Sequence, residues 1–210
     1  MGSASGFVTR LTHRWMELNR RHDAGGGVVL EVGAGEGQHL RFVCDSYDKY
    51  YLTDSSPQAV DRAKSIHAAN QRVVALQLDA HNLLGFGGLG VHPSRLVASC
   101  VLMHLSEPEM ALVEWRRVVC ANGRITIYVP NEDGVLFRLA RKLTTERWVK
   151  KSGFKGYGLL LAREHPYSSR KLEVLIDYVF RQDSIKKRRF PFYFGPLSFA
   201  LFTVYEVRLN

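Results

Sequence analysis

Blocks of hydrophobic residues recur along the chain and predict strands that alternate with helices. Residues 28–32, Val-Val-Leu-Glu-Val, form a continuous apolar run of the kind found in a strand that is covered on both faces. Similar short runs predict further strands at residues 50–53, 73–78, 96–101 and 125–129. Regular alternation of strands and helices requires crossover connections, which favour a parallel sheet with helices on both faces.

Turn and capping residues mark where the intervening helices begin. A glycine-rich turn follows the first strand, and the pattern after it predicts a helix from about Gln38. Ser55 or Ser56 is the expected N-cap of a helix over residues 57–70, in which proline takes the first helical position. Ser106–Glu109 has the form of a capping box, with serine at the cap and glutamate three positions later, and predicts the next helix start.

Both ends of the chain add elements to this alternation. An apolar stripe at three- and four-residue intervals predicts a helix over residues 7–22, and similar spacing predicts another over 169–180. The first stripe consists of Val8, Leu11, Trp15 and Leu18. Two strand-like segments, 185–194 and 199–209, are joined through Gly195-Pro196. So short a joint cannot carry a parallel crossover, so these segments should pair as an antiparallel hairpin.

Composition and charge narrow the class of protein. The chain has 210 residues, 46% hydrophobic and 23% charged, which excludes disorder, a collagen-like repeat or a coiled coil for the whole. Lysine and arginine outnumber aspartate and glutamate by 29 to 20, giving a net charge of +9. This balance favours an anionic partner, such as a phosphorylated metabolite, nucleic acid or an acidic membrane surface. A basic surface that only adds solubility is the alternative.

The cysteines and the N-terminus bear on the cellular compartment. Cys44, Cys100 and Cys120 are odd in number and form no CxxC pair, so neither a disulfide framework nor a four-cysteine zinc site is expected, and no metal is predicted. The first residues lack the basic start and apolar core of a signal peptide, and no apolar stretch approaches the ~20 residues of a membrane span. We therefore expect a cytoplasmic protein.

The glycine-rich turn after the first strand is the most informative local motif. Glycines there let a ligand approach the main chain closely, beside the positive end of a helix. The dinucleotide fingerprint GxGxxG would need a third glycine where Gln38 stands, and no Gly-Lys-Ser/Thr follows to make a P-loop. What remains is the pattern Glu31-x-Gly33-x-Gly35-x-Gly37.

Residues 29–37, Val-Leu-Glu-Val-Gly-Ala-Gly-Glu-Gly, resemble the first motif of class I S-adenosylmethionine-dependent methyltransferases. The resemblance implies an α/β, Rossmann-like fold: a doubly wound, mostly parallel seven-stranded sheet with helices on both faces and a C-terminal antiparallel hairpin. It also implies one domain over residues 1–210. Within it, residues 28–130 would form the cofactor-binding core, 131–170 a variable substrate lid, and 171–210 the last helix and hairpin.

The same resemblance implies S-adenosyl-L-methionine as cofactor and S-adenosyl-L-homocysteine as product. Asp54, at the end of the second strand, would hold the ribose hydroxyls. Asp79, at the end of the third, would bind the adenine amine, with the Ala80 amide at the adenine edge. The fourth strand would run through Cys100 into a loop beneath the sulfonium. The expected cofactor-binding residues are Glu31, Gly33, Ala34, Gly35, Gly37, Asp54, Ser55, Asp79, Ala80 and Cys100.

The chemistry of this cofactor agrees with acidic residues at strand ends. It has a cationic sulfur and two ribose hydroxyls but no phosphate, and ligands of open parallel sheets sit at the carboxyl ends of the strands. Each acidic residue also has a simpler explanation: Glu31 orients the turn, Asp54 caps the next helix, and Asp79 begins a turn. Their order along the chain, together with the glycine turn, favours the cofactor interpretation.

Methyl transfer is an in-line displacement that needs few catalytic side chains. Orienting the reactants supplies up to ~7–11 kcal/mol, but a hydroxyl acceptor also needs a base, most often histidine. His104 lies just past the fourth strand, and His165 and Tyr167 lie before the last long helix. These three are the candidate catalytic residues. Packing beneath the loop is the alternative for His104, and a surface loop is the alternative for His165.

The acceptor is expected to be a small molecule, with a hydroxyl of a sugar, natural product or lipid-linked substrate as the target. Cations in and around the presumed lid suggest an anionic acceptor: Arg138, Arg141, Lys142, Arg147, Lys150, Lys151 and Lys155. Leu136, Phe137, Leu139, Ala140 and Leu143 alternate with them in a predicted helix over residues 133–145, an amphipathic pattern that suits peripheral membrane contact. A solvated charged face is the alternative.

Two other classes of function remain open alternatives. An RNA or DNA methyltransferase would suit the charge, but the base-amine signature Asn/Asp-Pro-Pro-Tyr/Phe is absent from the sequence, so nucleic acid is not expected as a partner. A noncatalytic relative would bind cofactor or a partner only. The aromatic residues between Phe190 and Phe202 suit either a core or a dimer face, so both a monomer and a homodimer are compatible with the sequence.

Overall fold

A seven-stranded mixed sheet organises the computed structural model, in the strand order β3-β2-β1-β4-β5-β7-β6. The structure describes residues 4–18, 26–88, 90–143 and 166–210, together with the isolated positions 149, 156, 159 and 163. Strands β1 to β5 are parallel, while β7 pairs antiparallel with both β5 and β6. This arrangement confirms the predicted doubly wound fold with an antiparallel pair at one end.

The strands lie close to the positions that the hydrophobic runs predict. They are β1 (Val28–Val32), β2 (Lys49–Asp54), β3 (Val73–Gln77), β4 (Arg95–Ser99), β5 (Arg124–Pro130), β6 (Ser184–Phe190) and β7 (Phe202–Arg208). The last two strands are shorter than predicted. Their connection therefore spans residues 191–201, because Pro191 has no N–H with which to continue the ladder beyond Phe190.

Six α-helices are described around the sheet. They are α1 (Ala4–Met16), α2 (Pro57–His67), α3 (Leu84–Gly87), α4 (Pro108–Val118), α5 (Val135–Leu143) and α6 (Ser169–Val179). Short 3-10 helices occur at His39–Phe42, Leu102–His104 and Leu197–Phe199. Within the described residues, none of the helices combines the length and apolar character that crossing a membrane requires.

The sheet separates two layers of core. Successive side chains of a strand point to opposite faces, so the neighbours Val29 and Leu30 of β1 are both buried but belong to different layers. Leu30 packs in the layer that contains Trp115 of α4. Val29 packs in the layer that contains Met16 of α1. Burial on both faces explains why these strands read as continuous apolar runs in the sequence.

The strand order reverses at β1, which lies between β2 and β4. The chain moves outward from β1 to β3 on one side and resumes with β4 on the other. Ligands of open α/β sheets bind in the crevice that such a reversal leaves at the carboxyl ends of the strands. The glycine turn follows β1 directly, so it lies at this crevice.

The capping box predicted at Ser106–Glu109 is wrong. The structure begins α4 at Pro108 and places Glu107 at the N-cap position, with no hydrogen bond from a capping side chain. Proline has no N–H and disfavours a helical conformation in the residue before it, so it fixes its own position as the first of the helix. At α2, Ser56 and not Ser55 is the N-cap, and its hydroxyl accepts a hydrogen bond from the Ala59 amide.

The first helix and the segment after the glycine turn also differ from the prediction. α1 ends at Met16 rather than at residue 22, with residues 19–25 outside the described part, and Leu18 of the predicted stripe is exposed. The helix from Gln38 is only a short 3-10 helix. Both differences centre on Glu17, which is buried and pairs with Arg95 at the start of β4 and with His39. These long-range ion pairs override the local hydrophobic pattern.

Candidate active site

Two adjoining cavities lie at the carboxyl ends of β1 and β4, and Gly33 lines both. The first, of about 380 Å3, also contacts residues 34–36 of the glycine turn, α1, Cys100 and Tyr128, whereas Gly37 lines neither cavity and packs against Leu52 and His67. The second, of about 410 Å3, contacts the ends of β2 and β3 and the loop after β4. A ligand that occupies both would cross the turn at Gly33.

Backbone conformation explains the glycines of the turn. Gly33 and Gly35 have φ angles of +62° and +55°, in the left-handed region that other residues resist. A Cβ on Gly33 would lie 2.3 Å from Cγ2 of Val101, so only glycine lets the turn pack against the loop after β4. A Cβ on Gly35 would meet no protein atom within 4 Å, because this residue borders the open first cavity.

Asp54 ties the glycine turn to the end of β2. Its Oδ2 accepts a hydrogen bond from the Gly35 amide, and its Oδ1 accepts one from the Ser56 amide, each at 2.9 Å. Each carboxylate oxygen can accept a further hydrogen bond. Asp54 and Ser55 both line the second cavity, so the predicted ribose site is compatible with the geometry. The simpler role of Asp54, organising the turn before α2, is also present in the structure.

Asp79 and Ala80 line the second cavity after β3. The Asp79 Oδ1 accepts hydrogen bonds from the amide and the Nδ1–H of His81, both at 2.8 Å, and these lower the pKa of Asp79. The carboxylate is therefore ionised at neutral pH. The Ala80 carbonyl accepts a hydrogen bond from the Trp115 indole at 2.9 Å, which fixes this peptide against α4. Within the described residues the Ala80 amide has no acceptor, which suits the adenine edge.

Glu31 forms the floor of the first cavity. It is buried and its Oε2 accepts a hydrogen bond from the Tyr50 hydroxyl at 2.8 Å. Burial is the largest influence on this group and raises the pKa of Glu31. Its partner on β2 holds the carboxyl in one orientation, so Glu31 contributes a fixed acceptor rather than a mobile side chain.

The first helix supplies residues that the sequence did not indicate as part of the site. Thr12 and His13 of α1 line the first cavity beside Glu31. The His13 ring stacks on Phe42, and its Nδ1 lies 3.0 Å from Nδ1 of His39. Burial, with the nearby His39 as the second cause, lowers the pKa of His13 to about 4. Their only sequence signal is that polar residues interrupt the apolar face of the helix.

Cys100 follows β4 in an unusual backbone conformation. Its φ angle is +60°, which is uncommon for a residue with a side chain. Part of the residue is open to the cleft, yet burial of the sulfur within the cleft wall raises the pKa of the thiol to about 12, and the Glu132 carboxylate adds to this shift. The thiol is therefore protonated at neutral pH and is not a nucleophile.

Two of the three candidate catalytic residues lie at the loop after β4. His104 ends the 3-10 helix after β4 and lines the second cavity. The Tyr167 hydroxyl donates a hydrogen bond to the Ser106 carbonyl at 3.0 Å, which brings Tyr167 to the loop that carries His104. His165 lies outside the described residues. His104 and Tyr167 thus converge on one loop.

The charges around the two cavities contrast with the charge of the chain. Acidic residues line them: Glu31, Glu36, Asp54 and Asp79. Among the described residues no lysine or arginine lines either cavity, although the whole protein carries +9. A phosphate-bearing ligand would find no lysine or arginine here, whereas a ligand with a positive centre, hydroxyls and an amine finds acceptors. In the same part of the chain no cluster of histidine, cysteine and carboxylate could hold a metal ion.

Comparison with known proteins finds methyltransferases that share this fold. Residues 30–125 match the family model of a methyltransferase domain. A carbon methyltransferase of CurJ has a TM-score of 0.67 at 15% identity; the alignment covers 97% of this chain and 55% of that one, so the chain spans about half its length. No curated protein matches the sequence significantly.

Two further solved structures cover most of both chains. The N-methyltransferase NodS from Bradyrhizobium japonicum WM9, in complex with S-adenosylhomocysteine, has a TM-score of 0.63 at 11% identity, covering 99% of this chain and 88% of its own. The plantazolicin methyltransferase BpumL, also in complex with S-adenosylhomocysteine, has a TM-score of 0.67 at 14% identity, covering 99% and 86%. The family match and the fold shared with these methyltransferases support the resemblance to class I S-adenosylmethionine-dependent methyltransferases.

Proposed function

We propose that the two-part cleft binds S-adenosylmethionine and that the protein transfers its methyl group to a hydroxyl of a small-molecule acceptor. The observation that carries the proposal is the acidic lining, free of lysine and arginine among the described residues, around a left-handed glycine turn. The lining fits a cationic cofactor without phosphates. It also argues against a nucleotide cofactor, whose phosphates would need compensating cations or amides.

The residues of the second cavity suit the adenosine portion. Asp54 is held by two amides and keeps acceptor capacity for the ribose hydroxyls, while Asp79 accepts from the adenine amine and the Ala80 amide donates to the ring edge. The first cavity then takes the methionyl portion, between the glycine turn, Glu31 and α1. Gly33, shared by both cavities, marks the passage between the two portions.

Catalysis rests mainly on holding the acceptor in line with the methyl group. When bound, the cofactor supplies a methyl already activated by a positive sulfur, so orientation accounts for up to ~7–11 kcal/mol of the barrier. His104 lines the second cavity, which also contacts Gly33, and is the proposed base for the acceptor hydroxyl. Tyr167, fixed by its bond to the Ser106 carbonyl, shapes the same loop. A contribution from His165 stays a prediction.

Cofactor binding is tested by calorimetry with S-adenosylhomocysteine. We expect saturable binding to the wild type that Asp54→Ala weakens at least tenfold, since two amides and the ribose lose their acceptor. Asp61→Ala is the matched control, because Asp61 is an exposed carboxylate of α2 away from both cavities. Absence of heat with correctly folded wild-type protein, or equal affinities of the two variants, would contradict the proposal.

Acceptor chemistry is tested with cofactor carrying a labelled methyl group and a panel of phenols, sugars and glycolipid precursors, each paired with its amine analogue. Transfer to the hydroxyl compounds is expected. His104→Ala should lower kcat with cofactor affinity retained. His92→Ala, at the opposite end of β4, should leave both kcat and the cofactor affinity unchanged. Transfer only to amines would contradict the hydroxyl assignment, and binding without turnover on any acceptor would support a noncatalytic relative.

A further inference from the structure

Helix α5 presents an exposed face that combines aliphatic and cationic side chains. Val135, Arg138, Leu139 and Lys142 are spaced i, i+3, i+4 and i+7, so they share one side of the helix, and all four are exposed. Val135 and Leu139 are each more than half exposed. The sequence pattern suggested instead that Leu136 and Phe137 would contribute, but both are partly buried.

Exposed aromatic side chains lie next to this helix. The 3-10 helix Leu197–Phe199, in the connection between β6 and β7, packs against α5. Phe192, Phe194 and Phe199 of that connection are all more than half exposed, and Phe194 reaches 83%. We call the exposed residues Val135, Arg138, Leu139, Lys142, Phe192, Phe194 and Phe199 the α5 face. Large apolar side chains exposed together in two contacting segments, α5 and the connection between β6 and β7, mark an interaction surface.

The α5 face lies at the same edge of the sheet as the cleft. α5 begins five residues after Pro130, the end of β5, and Tyr128 of β5 lines the first cavity. Asn131, directly after β5, donates hydrogen bonds from its side chain to the carbonyls of Leu197 and Ala200. This anchor joins the connection between β6 and β7 to the carboxyl edge of the sheet, the edge at which the cleft opens.

We propose that the α5 face docks on the surface of an anionic lipid bilayer. Aliphatic and aromatic side chains would enter the interface between headgroups and acyl chains, while Arg138 and Lys142 would meet the lipid phosphates beside them. This charge complementarity decides against a second copy of the chain. A two-fold contact would bring the same two cations of each copy into one patch, where they repel. The docking is independent of the proposed methyl transfer.

Vesicle flotation tests the proposal with the whole chain. Wild-type protein should float with vesicles of phosphatidylcholine and phosphatidylglycerol in equal parts, and bind vesicles of phosphatidylcholine alone at least tenfold less. Binding to anionic vesicles should also fall with added salt, since exposed charges are screened. Wild-type protein that stays unbound with anionic vesicles at low salt overturns the proposal.

Paired variants locate the surface. Phe194→Ser with Phe199→Ser should lower the partition coefficient at least tenfold, whereas Val113→Ser with Val174→Ser, at positions of α4 and α6 that are also more than half exposed, should leave it unchanged. An equal loss in both pairs would overturn the assignment.

Charge reversal gives a second, independent comparison. Arg138→Glu with Lys142→Glu should lower binding to anionic vesicles about tenfold or more, because each cation near such a surface contributes about fivefold. Arg181→Glu with Lys186→Glu, also exposed, is the matched control. Circular dichroism and the affinity for S-adenosylhomocysteine should be the same in all variants. A dimer in sedimentation that the phenylalanine variants dissociate, without vesicle binding by the wild type, would show that a second copy covers the face instead.

Discussion

Replacing Gly35 by alanine separates the cost of backbone strain from the cost of filling the proposed cofactor site. The φ angle of Gly35 is +55°, and that of Gly90, which lines neither cavity, is +66°. At both positions an added Cβ would meet no protein atom within 4 Å. The two substitutions therefore impose the same left-handed strain, about 1–2 kcal/mol, with no steric clash in the protein. Of these two glycines, only Gly35 lines the first cavity.

Gly35→Ala and Gly90→Ala should accordingly lower the free energy of unfolding by similar amounts, about 1 kcal/mol, after the smaller entropy of the unfolded alanine chain is allowed for. Urea denaturation measures this. The affinity for S-adenosylhomocysteine should fall about tenfold or more in Gly35→Ala alone, equivalent to about 1.4 kcal/mol or more, because its methyl group occupies space where the cofactor approaches the main chain.

The ligand dependence of stability gives a consistency check. At a ligand concentration 100 times its Kd, bound cofactor product should stabilise the wild type and Gly90→Ala by about 2.7 kcal/mol, and Gly35→Ala by correspondingly less. If Gly35→Ala and Gly90→Ala bind S-adenosylhomocysteine equally well, the first cavity is not the methionyl site and the cofactor orientation proposed above is wrong.

Three further predictions concern single side chains. Asp79→Asn should weaken S-adenosylhomocysteine about tenfold, through loss of a charge-assisted hydrogen bond to the adenine amine, but not weaken its inosine analogue, as calorimetry can measure. Burial lowers the pKa of His13 from 6.5 to about 4, so between these pH values the folded state binds fewer protons than the unfolded state. The free energy of unfolding should therefore decrease by about 3 kcal/mol as the pH falls from 6.5 to 4, and by less in His13→Phe. Burial raises the pKa of Glu173, but hydrogen bonds from Arg189, Tyr205 and Lys187 lower it overall; Glu173→Gln should therefore cost about 1–3 kcal/mol above pH 4.5, a difference that shrinks in more acidic solution.

Each of these has an outcome that contradicts it. Equal losses of affinity for the adenosine and inosine ligands would remove Asp79 from the amine. An unchanged pH slope of urea unfolding in His13→Phe would mean that the histidine is not neutral in the folded state. For Glu173, which joins α6 to the hairpin of β6 and β7, a stability difference that persists unchanged below pH 4 would show that packing, rather than its ionised carboxylate, accounts for the loss.

The parts of the site that were predictable from the sequence are those set by neighbours along the chain. A sharp turn after a strand requires residues in the left-handed backbone conformation, which glycine adopts most readily. Gly33 and Gly35 have φ angles in that region. Asp54 is the last residue of β2 and Asp79 comes two residues after β3, so a parallel sheet brings both to one edge whatever the details of packing. For the same reason the antiparallel pairing of β6 and β7 was predictable from a connection too short for a crossover.

Elsewhere, predictions from the local sequence pattern failed because contacts between distant residues determine the structure. Arg95 and Glu17 are 78 positions apart, yet they form a buried ion pair between β4 and the residue after α1. With the end of α1 held there, His13 lies in the wall of the first cavity. No periodicity in α1 reveals a partner on β4. At α4 the error was local: Pro108 fixed the helix start where a capping box had been expected.

The sequence by itself determined the order of strands and helices, the glycine turn and the acidic strand ends, because strand burial, backbone conformation and crossover geometry depend on residues close in the chain. Only the tertiary structure decided that the described lining of the cleft excludes lysine and arginine, that α1 contributes to it, and that Val135 and Leu139 face solvent rather than the core. Those properties depend on which segments contact one another in the folded domain. Hydrophobic burial and ion pairing between segments far apart in the chain determine these contacts, so they are set only when the whole domain has folded.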